Sequence, residues 1–501
     1  MKKVFSTLAA LFVISITQLQ AGGPQPNVLF IAVDDLRTSL GCYGDTLVKS
    51  PNIDRFATTA RRFEHAYTQQ AVCGPSRTSL LTGRLPDNTR VWHNRNLFRD
   101  AEPDIVTLPQ LFKNHGYHTV SLGKIFSGNE RELDPDSWTE PEILKQKGWR
   151  NSALGDSDGE GKGAAWEAAD VPDEGYTDGK LASRAVEKLT NLKSAGQPFF
   201  LAVGFFKPHL PFNAPKRYWE LYDSVTFDLN DDGQRVKGIS EYAHHSHREL
   251  GGYRDIPKDE HLHTATTRKL RHGYHACVSY TDAQIGKLLA ALDQLGLAQN
   301  TIVVLWGDHG WSLGEKDRWC KGTNFERDTR VPLLIRTPGL KAPGAAAAGL
   351  VEVVDLYPTL AELASLPAPQ GLDGHSLVAM LTDPQSPGRE AVLSQFARPF
   401  SANTPEFMGY SLRTATHRYT RWIDWQSRQT VAEELYDYGT GPSTSREGAF
   451  WIEQENIAPH PEQSATRQNL SQQLDQMLAR RIKAKPNDGA TVNKKRKKKQ
   501  P

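Results

Sequence analysis

Cys73-Gly74-Pro75-Ser76-Arg77 puts a thiol, a proline and a guanidinium within five residues, at the head of the helical pattern Ser76–Thr82. Pro75 and Ser76 suit a helix start. The first turn of a helix offers unpaired N–H groups and a partial positive charge, which favour an anion. Arg77 adds a planar cation beside it. The chemistry such a pattern allows is attack by residue 73 on an anionic group. A lone cysteine before a helix is far more often packing than chemistry, so the weight falls on its partners.

Two acidic pairs are candidate partners. Asp34-Asp35 directly follows the apolar run Asn27–Val33, and Gly307-Asp308-His309-Gly310 follows Thr301–Trp306. Each alone reads as a turn. Together they supply oxygen-rich ligands for a hard divalent cation. A cationic set follows the same rule. Lys124 comes after Thr119–Leu122, Lys207 and His209 come after Pro198–Phe206, and Lys321 sits in Trp319-Cys320-Lys321-Gly322. Singly these are ordinary surface residues. Except for Lys321, all of these groups fall at or just beyond the C-terminal end of an expected strand. That is one edge of one sheet, where α/β proteins bind ligands. Trp311 and His93, in His93-Asn94-Arg95, are candidates to line a substrate pocket, with core packing the competing role for Trp311.

The elements that must position these groups are legible as periodicity. The four strand-like runs are continuously apolar, as in parallel strands covered on both faces. Helical patterns lie between them at Pro51–Thr59, Ser76–Thr82, Gly179–Leu192 and Tyr280–Leu295. The alternation predicts an α/β fold, a large doubly wound sheet sandwiched by helices. A Gly- and Asp-rich loop is expected over 150–175, a polar His-rich insertion over 228–262, and a Pro/Gly/Ala linker around Pro338–Ala348. A smaller C-terminal α+β subdomain follows, with strands at Ala391–Phe396 and Tyr410–Trp425 and a helix near Thr466–Lys483. The expected division is 1–21 signal, 22–375 catalytic domain, 376–485 subdomain and 486–501 basic tail. His244-His245-Ser246-His247 and His261-Leu262-His263 lack the spacing of a zinc site and read as polar loop.

Composition bounds the rest. The chain has 501 residues, 38% apolar and 24% charged, enough for a sizeable core. Its net charge of +2 hides uneven ends, because Lys2-Lys3 and the run Lys494–Lys499 (KKRKKK) carry the excess. The body between them is mildly acidic, which argues against a nucleic-acid-binding core. Lys2-Lys3, the apolar Leu8–Ile16 and the small residue Ala21 form an export-signal pattern, too short to span a bilayer, and no second span follows. A periplasmic or secreted location is expected. With 4 cysteines this is no disulfide scaffold, and if Cys73 is modified, Cys42, Cys277 and Cys320 allow at most one bridge. Phosphate loops of the G-x-x-x-x-G-K-[ST] type are absent.

On Cys73-Gly74-Pro75-Ser76-Arg77, Asp34-Asp35 and Asp308-His309, the sequence resembles the type I sulfatases, within them the iduronate-2-sulfatase-like group. The resemblance runs over residues 27–375 and implies an alkaline phosphatase-like fold. It implies a maturation enzyme that oxidises Cys73 to formylglycine, with Arg77 stabilising it. It implies one Ca²⁺ held by Asp34, Asp35, Asp308, His309 and residue 73. Lys124, His209 and Lys321 would surround the sulfate, with His209 or a lysine protonating the leaving oxygen, and Lys207 either touching substrate or supporting its loop. The implied reaction is hydrolysis of a sulfate ester on a sulfated sugar, such as a 2-sulfated uronic-acid-containing glycan. The hydrated aldehyde attacks sulfur with one hydroxyl, and its second hydroxyl loses a proton to expel sulfate. One departure stands out. Relatives carry a histidine within three residues of the Gly-Lys segment, and here Ser127 stands in its place. The competing readings are a phosphatase or phosphodiester hydrolase of the same superfamily, and a non-catalytic protein that binds sulfated glycans.

Overall fold

A computed structural model of the chain describes residues 25–483 apart from 128–132, 143–162, 228, 230–233, 245–248, 259–261, 401–403 and 440–452. The expected signal segment 1–21, the basic tail 486–501, half of the Gly- and Asp-rich loop and three of the loop histidines (His245, His247, His261) lie outside the described residues.

Strand Asn27–Val33 is buried at every position and lies between Phe199–Phe205 and Thr301–Gly307, both parallel to it and equally buried. His118–Gly123 continues the parallel run beside Phe199–Phe205. Because side chains alternate across a strand, Leu29, Ile31 and Val33 enter one core layer, and Val28, Phe30 and Ala32 enter the other. Helices Thr177–Ala195 and Thr264–Gln294 cover the first layer through Leu181, Ala185, Leu270 and Tyr280. Cys73–Thr82, Leu108–Asn114 and Leu356–Leu363 cover the second through Leu80, Leu111 and Leu360. The doubly wound arrangement follows from apolar runs that need cover on both faces.

The sheet has nine strands and is mixed. Leu333–Arg336 runs antiparallel between Thr301–Gly307 and Arg61–Tyr67. Arg61–Tyr67 (RRFEHAY) carries no apolar run, because its pattern alternates between buried and half-buried positions. Part of the expected linker is also strand: Ala346–Glu352 pairs parallel with Arg61–Tyr67. Small residues there let it lie close to its neighbour, and they gave the stretch its linker-like composition.

The C-terminal subdomain is a four-stranded antiparallel meander, Ala391–Arg398, Phe407–Thr414, His417–Asp424 and Thr430–Asp437. The expected strand Tyr410–Trp425 is two strands joined at Ala415-Thr416. Helix Ser464–Arg481 sets Leu470 and Leu474 against Tyr410 and Tyr419. The meander docks beside the residue-73 loop: Gln395 N–H donates to the Gln69 carbonyl (2.7 Å) and Ser394 Oγ to the Thr68 carbonyl (2.7 Å). All four cysteines are free thiols. Among the described residues no helix is long and apolar enough to cross a membrane.

Candidate active site

The C-terminal ends of the parallel strands deliver the acidic groups. Asp35 follows Asn27–Val33 with φ +59°, a left-handed conformation that aspartate tolerates better than most residues. Its amide donates to Asp308 Oδ1 (3.0 Å), and Tyr274 Oη donates to its carbonyl (2.9 Å), so the turn is fixed from two sides. Asp308 and His309 leave Thr301–Gly307 the same way. The chain then passes so close to Arg327 that a Cβ on Gly310 would lie 1.8 Å from its carbonyl oxygen, so only glycine fits. Gly204 plays the matching part for Lys124, where a Cβ would lie 2.0 Å from the Lys124 carbonyl.

Helix Cys73–Thr82 is buried along its whole length and points its first turn at these carboxylates. Asn94 Oδ1 accepts from the Gly74 amide (2.8 Å). Arg77 is fully buried and ties the site together. Nε donates to Asp308 Oδ2 (2.8 Å), one terminal nitrogen to Asp34 Oδ1 (3.2 Å), and the other to the carbonyls of Lys124 and Ile125. Cys73 Sγ lies 3.3 Å from His309 Nε2. Burial, helped by Asp34, pushes the Cys73 thiol up to about 11 against the pull of Lys124 and Lys321. It is therefore a thiol at neutral pH, unsuited to act as a thiolate nucleophile.

The cations stand around the same point. Lys124 Nζ donates to Asp34 Oδ2 (2.5 Å), and Lys321 Nζ to both oxygens of Asp35 (2.9 and 3.2 Å). His209 gives its Nδ1 hydrogen to the Leu210 carbonyl (2.6 Å), and its Nε2 lies 3.9 Å from Asp35 Oδ2. Cys73, Arg77, Lys124, His209, Lys321, Asp34, Asp35, Asp308 and His309 thus converge.

Lys207 and Trp311 each take the supporting role that the sequence left open beside a substrate contact. Lys207 is buried, with Nζ donating to the carbonyls of His209 (2.9 Å) and Pro211 (2.6 Å), so it holds the loop that carries His209. Trp311 is fully buried and offers no surface to a sugar. It lies beneath Lys321, whose Nζ is 4.9 Å from the ring centroid, and 6.3 Å from the His209 ring. Lysine and indole meet there as cation and π-face. His93 is largely buried and meets Phe400 edge-on. Ser127 is half-buried, and the imidazole hydrogen-bonded to Cys73 is that of His309.

One site residue escaped the sequence. Glu249, from the polar insertion, sets Oε1 3.2 Å from His209 Nε2 and Oε2 3.2 Å from Lys321 Nζ. No motif surrounds it, so only the fold reveals it.

The three aspartates have different electrostatics. Burial opposes the charge on all of them. At Asp308 the guanidinium of Arg77 overcomes burial and holds the carboxyl well below its usual range, and at Asp34 Lys124 does so more weakly. At Asp35 burial wins, with Asp34 adding to it against Lys321, and the carboxyl is pushed well up. More positive charge beside Asp35 would restore its ionised form. The donor set fits a divalent cation. Ligand atoms of Asp35, Cys73 and His309, and of Asp34, Cys73 and Asp308, lie within 4.8 Å of one another. His309 Nδ1 donates to the Gly310 carbonyl (2.9 Å), which leaves the Nε2 lone pair facing Asp35 Oδ1 at 3.3 Å. Two acceptors facing each other suit a cation between them, with the Gly310 carbonyl orienting the ring.

The sulfatase family pattern matches residues 26–366, the span that carries every group of this site. The chain belongs to the sulfatase family. It is a sulfuric ester hydrolase. A second pattern, N-sulphoglucosamine sulphohydrolase, C-terminal, matches residues 307–480. Iduronate 2-sulfatase of Mus musculus is 36% identical over 523 residues, covering 87% of this chain and 94% of that protein. Phosphonate monoester hydrolase SpPMH from Silicibacter pomeroyi superposes with a TM-score of 0.73 at 24% identity, over 91% of this chain and 96% of that one. A protein solved in complex with its substrate D-glucosamine-2-N,6-O-disulfate superposes at 0.71 and 22%, over 93% of this chain and 100% of that one. At these identities the two structures speak for the fold alone, which is the alkaline phosphatase-like α/β architecture of this sulfatase.

Proposed function

We propose that this sulfatase releases sulfate from a sulfated sugar of an oligo- or polysaccharide, with residue 73 matured to formylglycine and Ca²⁺ bound by Asp34, Asp35, Asp308 and His309. The convergence of Cys73 with three buried carboxylates and three cations carries the reading. The likeness to iduronate 2-sulfatase favours a 2-sulfated uronic acid. The N-terminal pattern favours export to the periplasm or medium, where such glycans are met, after a maturation enzyme has acted on Cys73.

When bound, the metal and the hydrated aldehyde supply a Lewis acid and a hydroxyl nucleophile at residue 73. The side chains around them do the rest. Arg77 fixes the first turn of the helix and both acidic loops, so residue 73 keeps one orientation. Lys124 and Lys321 reach the centre from opposite aspartates and neutralise the oxygens of a sulfate placed between them. His209, anchored through Nδ1, presents Nε2 to give a proton to the departing sugar oxygen. Trp311 excludes water behind Lys321 and His209. Three groups of full positive charge in a buried site give local attraction to an anion that the mildly acidic body would otherwise repel.

Parallel assays with 4-nitrophenyl sulfate, 4-nitrophenyl phosphate and a panel of sulfated disaccharides test this, with intact mass measured on the same protein. Sulfate release together with the mass loss of formylglycine at residue 73 is expected. Phosphate release in preference to sulfate would move the enzyme to phosphoester hydrolysis. Glycan binding without turnover by matured protein would make it a binding protein.

A further inference from the structure

Asp35, Lys321, Glu249 and His209 form a closed ring at the mouth of the site, in which two carboxyl groups alternate with a lysine and an imidazole. Lys321 Nζ is 2.9 Å from Asp35 Oδ1 and 3.2 Å from Glu249 Oε2, and His209 Nε2 is 3.2 Å from Glu249 Oε1 and 3.9 Å from Asp35 Oδ2. The ring lies beside the Trp311 indole. Its two carboxylates differ in depth: Asp35 is fully buried, while the Glu249 side chain keeps 23% of its surface exposed. Asp35 belongs to the metal-ligand set, which leaves Glu249 as the outer carboxylate that both cations share.

We infer that Glu249 is a positioning residue, holding His209 and Lys321 in one fixed relation so that the proton donor and the sulfate-binding cation move as a unit. Lysine has four rotatable bonds and much rotamer freedom to lose when fixed, so a second anchor narrows where Nζ sits. For His209 the Leu210 carbonyl fixes Nδ1, and Glu249 lies 3.2 Å from Nε2, so its carboxylate limits the ring's rotation and holds the Nε2 proton in place until the leaving oxygen accepts it. A displacement of about 1 Å at a proton donor is enough to cost up to two orders of magnitude in rate. The inference rests on the proposed role of His209 as the acid that protonates the leaving oxygen.

A leaving-group comparison tests it. A phenolate such as 4-nitrophenolate departs with little help, whereas a sugar alkoxide needs the proton. Full-length matured enzyme and Glu249→Gln are assayed on 4-nitrophenyl sulfate and on a disaccharide carrying a 2-sulfated uronic acid, with thermal midpoints recorded. Gln keeps the shape of Glu and loses its charge. The expected result is a kcat loss on both substrates that is at least about tenfold larger on the disaccharide, with KM within about threefold and an unchanged midpoint. Glu249→Asp, which keeps the charge, recovers part of the disaccharide rate. Equal losses on the two substrates, a change in KM alone, or no loss overturns the inference. His209→Ala separates this from failure of the underlying reading. If that variant also loses no more on the disaccharide than on the aryl ester, His209 is not the acid and the proposed mechanism falls. If it does show the bias and Glu249→Gln does not, only the positioning role falls.

Discussion

Asp35 and Glu326 are both buried carboxylates set among cations, and they end up in opposite states. Glu326 lies where the C-terminal meander meets the sheet. Its Oε2 accepts from Arg418 (2.7 Å) and Arg413 (3.3 Å), and Tyr67 Oη donates to its Oε1 (2.9 Å). Burial opposes its charge, but the two guanidiniums win and bring it down to about 2. Asp35 has a single lysine in close contact and Asp34 as an acidic neighbour, so burial wins and its carboxyl is pushed well up. The joint is therefore complete from the chain's own groups, while the proposed catalytic cluster is short of positive charge at Asp35, which the proposed metal would supply. Buried charge serves cohesion in the first case and ligation in the second.

The sharpest way to test this contrast is to remove the reactive group and leave the charges alone. Cys73→Ala is expected to abolish sulfate release, while the thermal midpoint moves by no more than about 3 °C, because one small buried group is lost. Comparable sulfate release by the variant would remove residue 73 from the chemistry and collapse the distinction. Next in size is the metal. Treatment with EDTA is expected to cut the rate at least about a hundredfold and to lower the melting midpoint, with Ca²⁺ restoring both. A melting curve indifferent to chelator would place Asp34, Asp35 and Asp308 with the self-sufficient clusters.

The two clusters were also unequally legible in the sequence. The catalytic one was visible because its members sit at the ends of continuous apolar runs, and burial on both faces leaves that signature. The strands ending at Asp34, Lys124, His209 and Asp308 could therefore be aligned before the fold was known. Lys207 and Trp311 each kept two roles open in the sequence, because position beyond a strand says nothing about where a side chain turns. Glu249 was invisible because an insertion brings it in without periodicity. The joint left no trace: Arg61–Tyr67 mixes charged and apolar residues without a clean period, and Glu326 is far in sequence from Arg413 and Arg418, so only the docked meander makes them neighbours.

Breaking the joint should therefore affect stability and spare chemistry. Arg418 is fully buried against Glu326 and Glu453. Arg418→Ala leaves both carboxylates short of a partner and is expected to cost about 3–5 kcal/mol in denaturant unfolding. The kcat of the remaining folded enzyme is expected to stay within about twofold, since no residue of the ring around Asp35 touches Arg418. A selective loss of kcat with unchanged stability would show that the two clusters are one.

The smallest effect lies inside the meander and has the opposite pH sign. Glu434 is buried, with the Trp422 indole N–H (3.3 Å), the Ser240 amide (3.3 Å) and Tyr436 Oη (3.3 Å) donating to it and, among the described residues, no ion pair, and burial raises it to about 7 against these donors and the pull of Arg318. A carboxyl whose folded value lies above its unfolded value favours the fold fully below about pH 4.5, and that contribution is lost as pH rises through about 7. Glu326, held down to about 2, behaves the other way: its contribution is present above about pH 4.5 and is lost as pH falls towards 2. Glu434→Gln mimics the protonated acid, so it is expected to add on the order of 1–2 kcal/mol at pH 8 and nothing at pH 4.5, read from urea unfolding at both values. Glu326→Gln should lose stability at pH 8 and approach wild type near pH 2. If the two variants shift stability with the same pH sign, the pairing with Arg413 and Arg418 is not what separates a cohesive carboxylate from an isolated one.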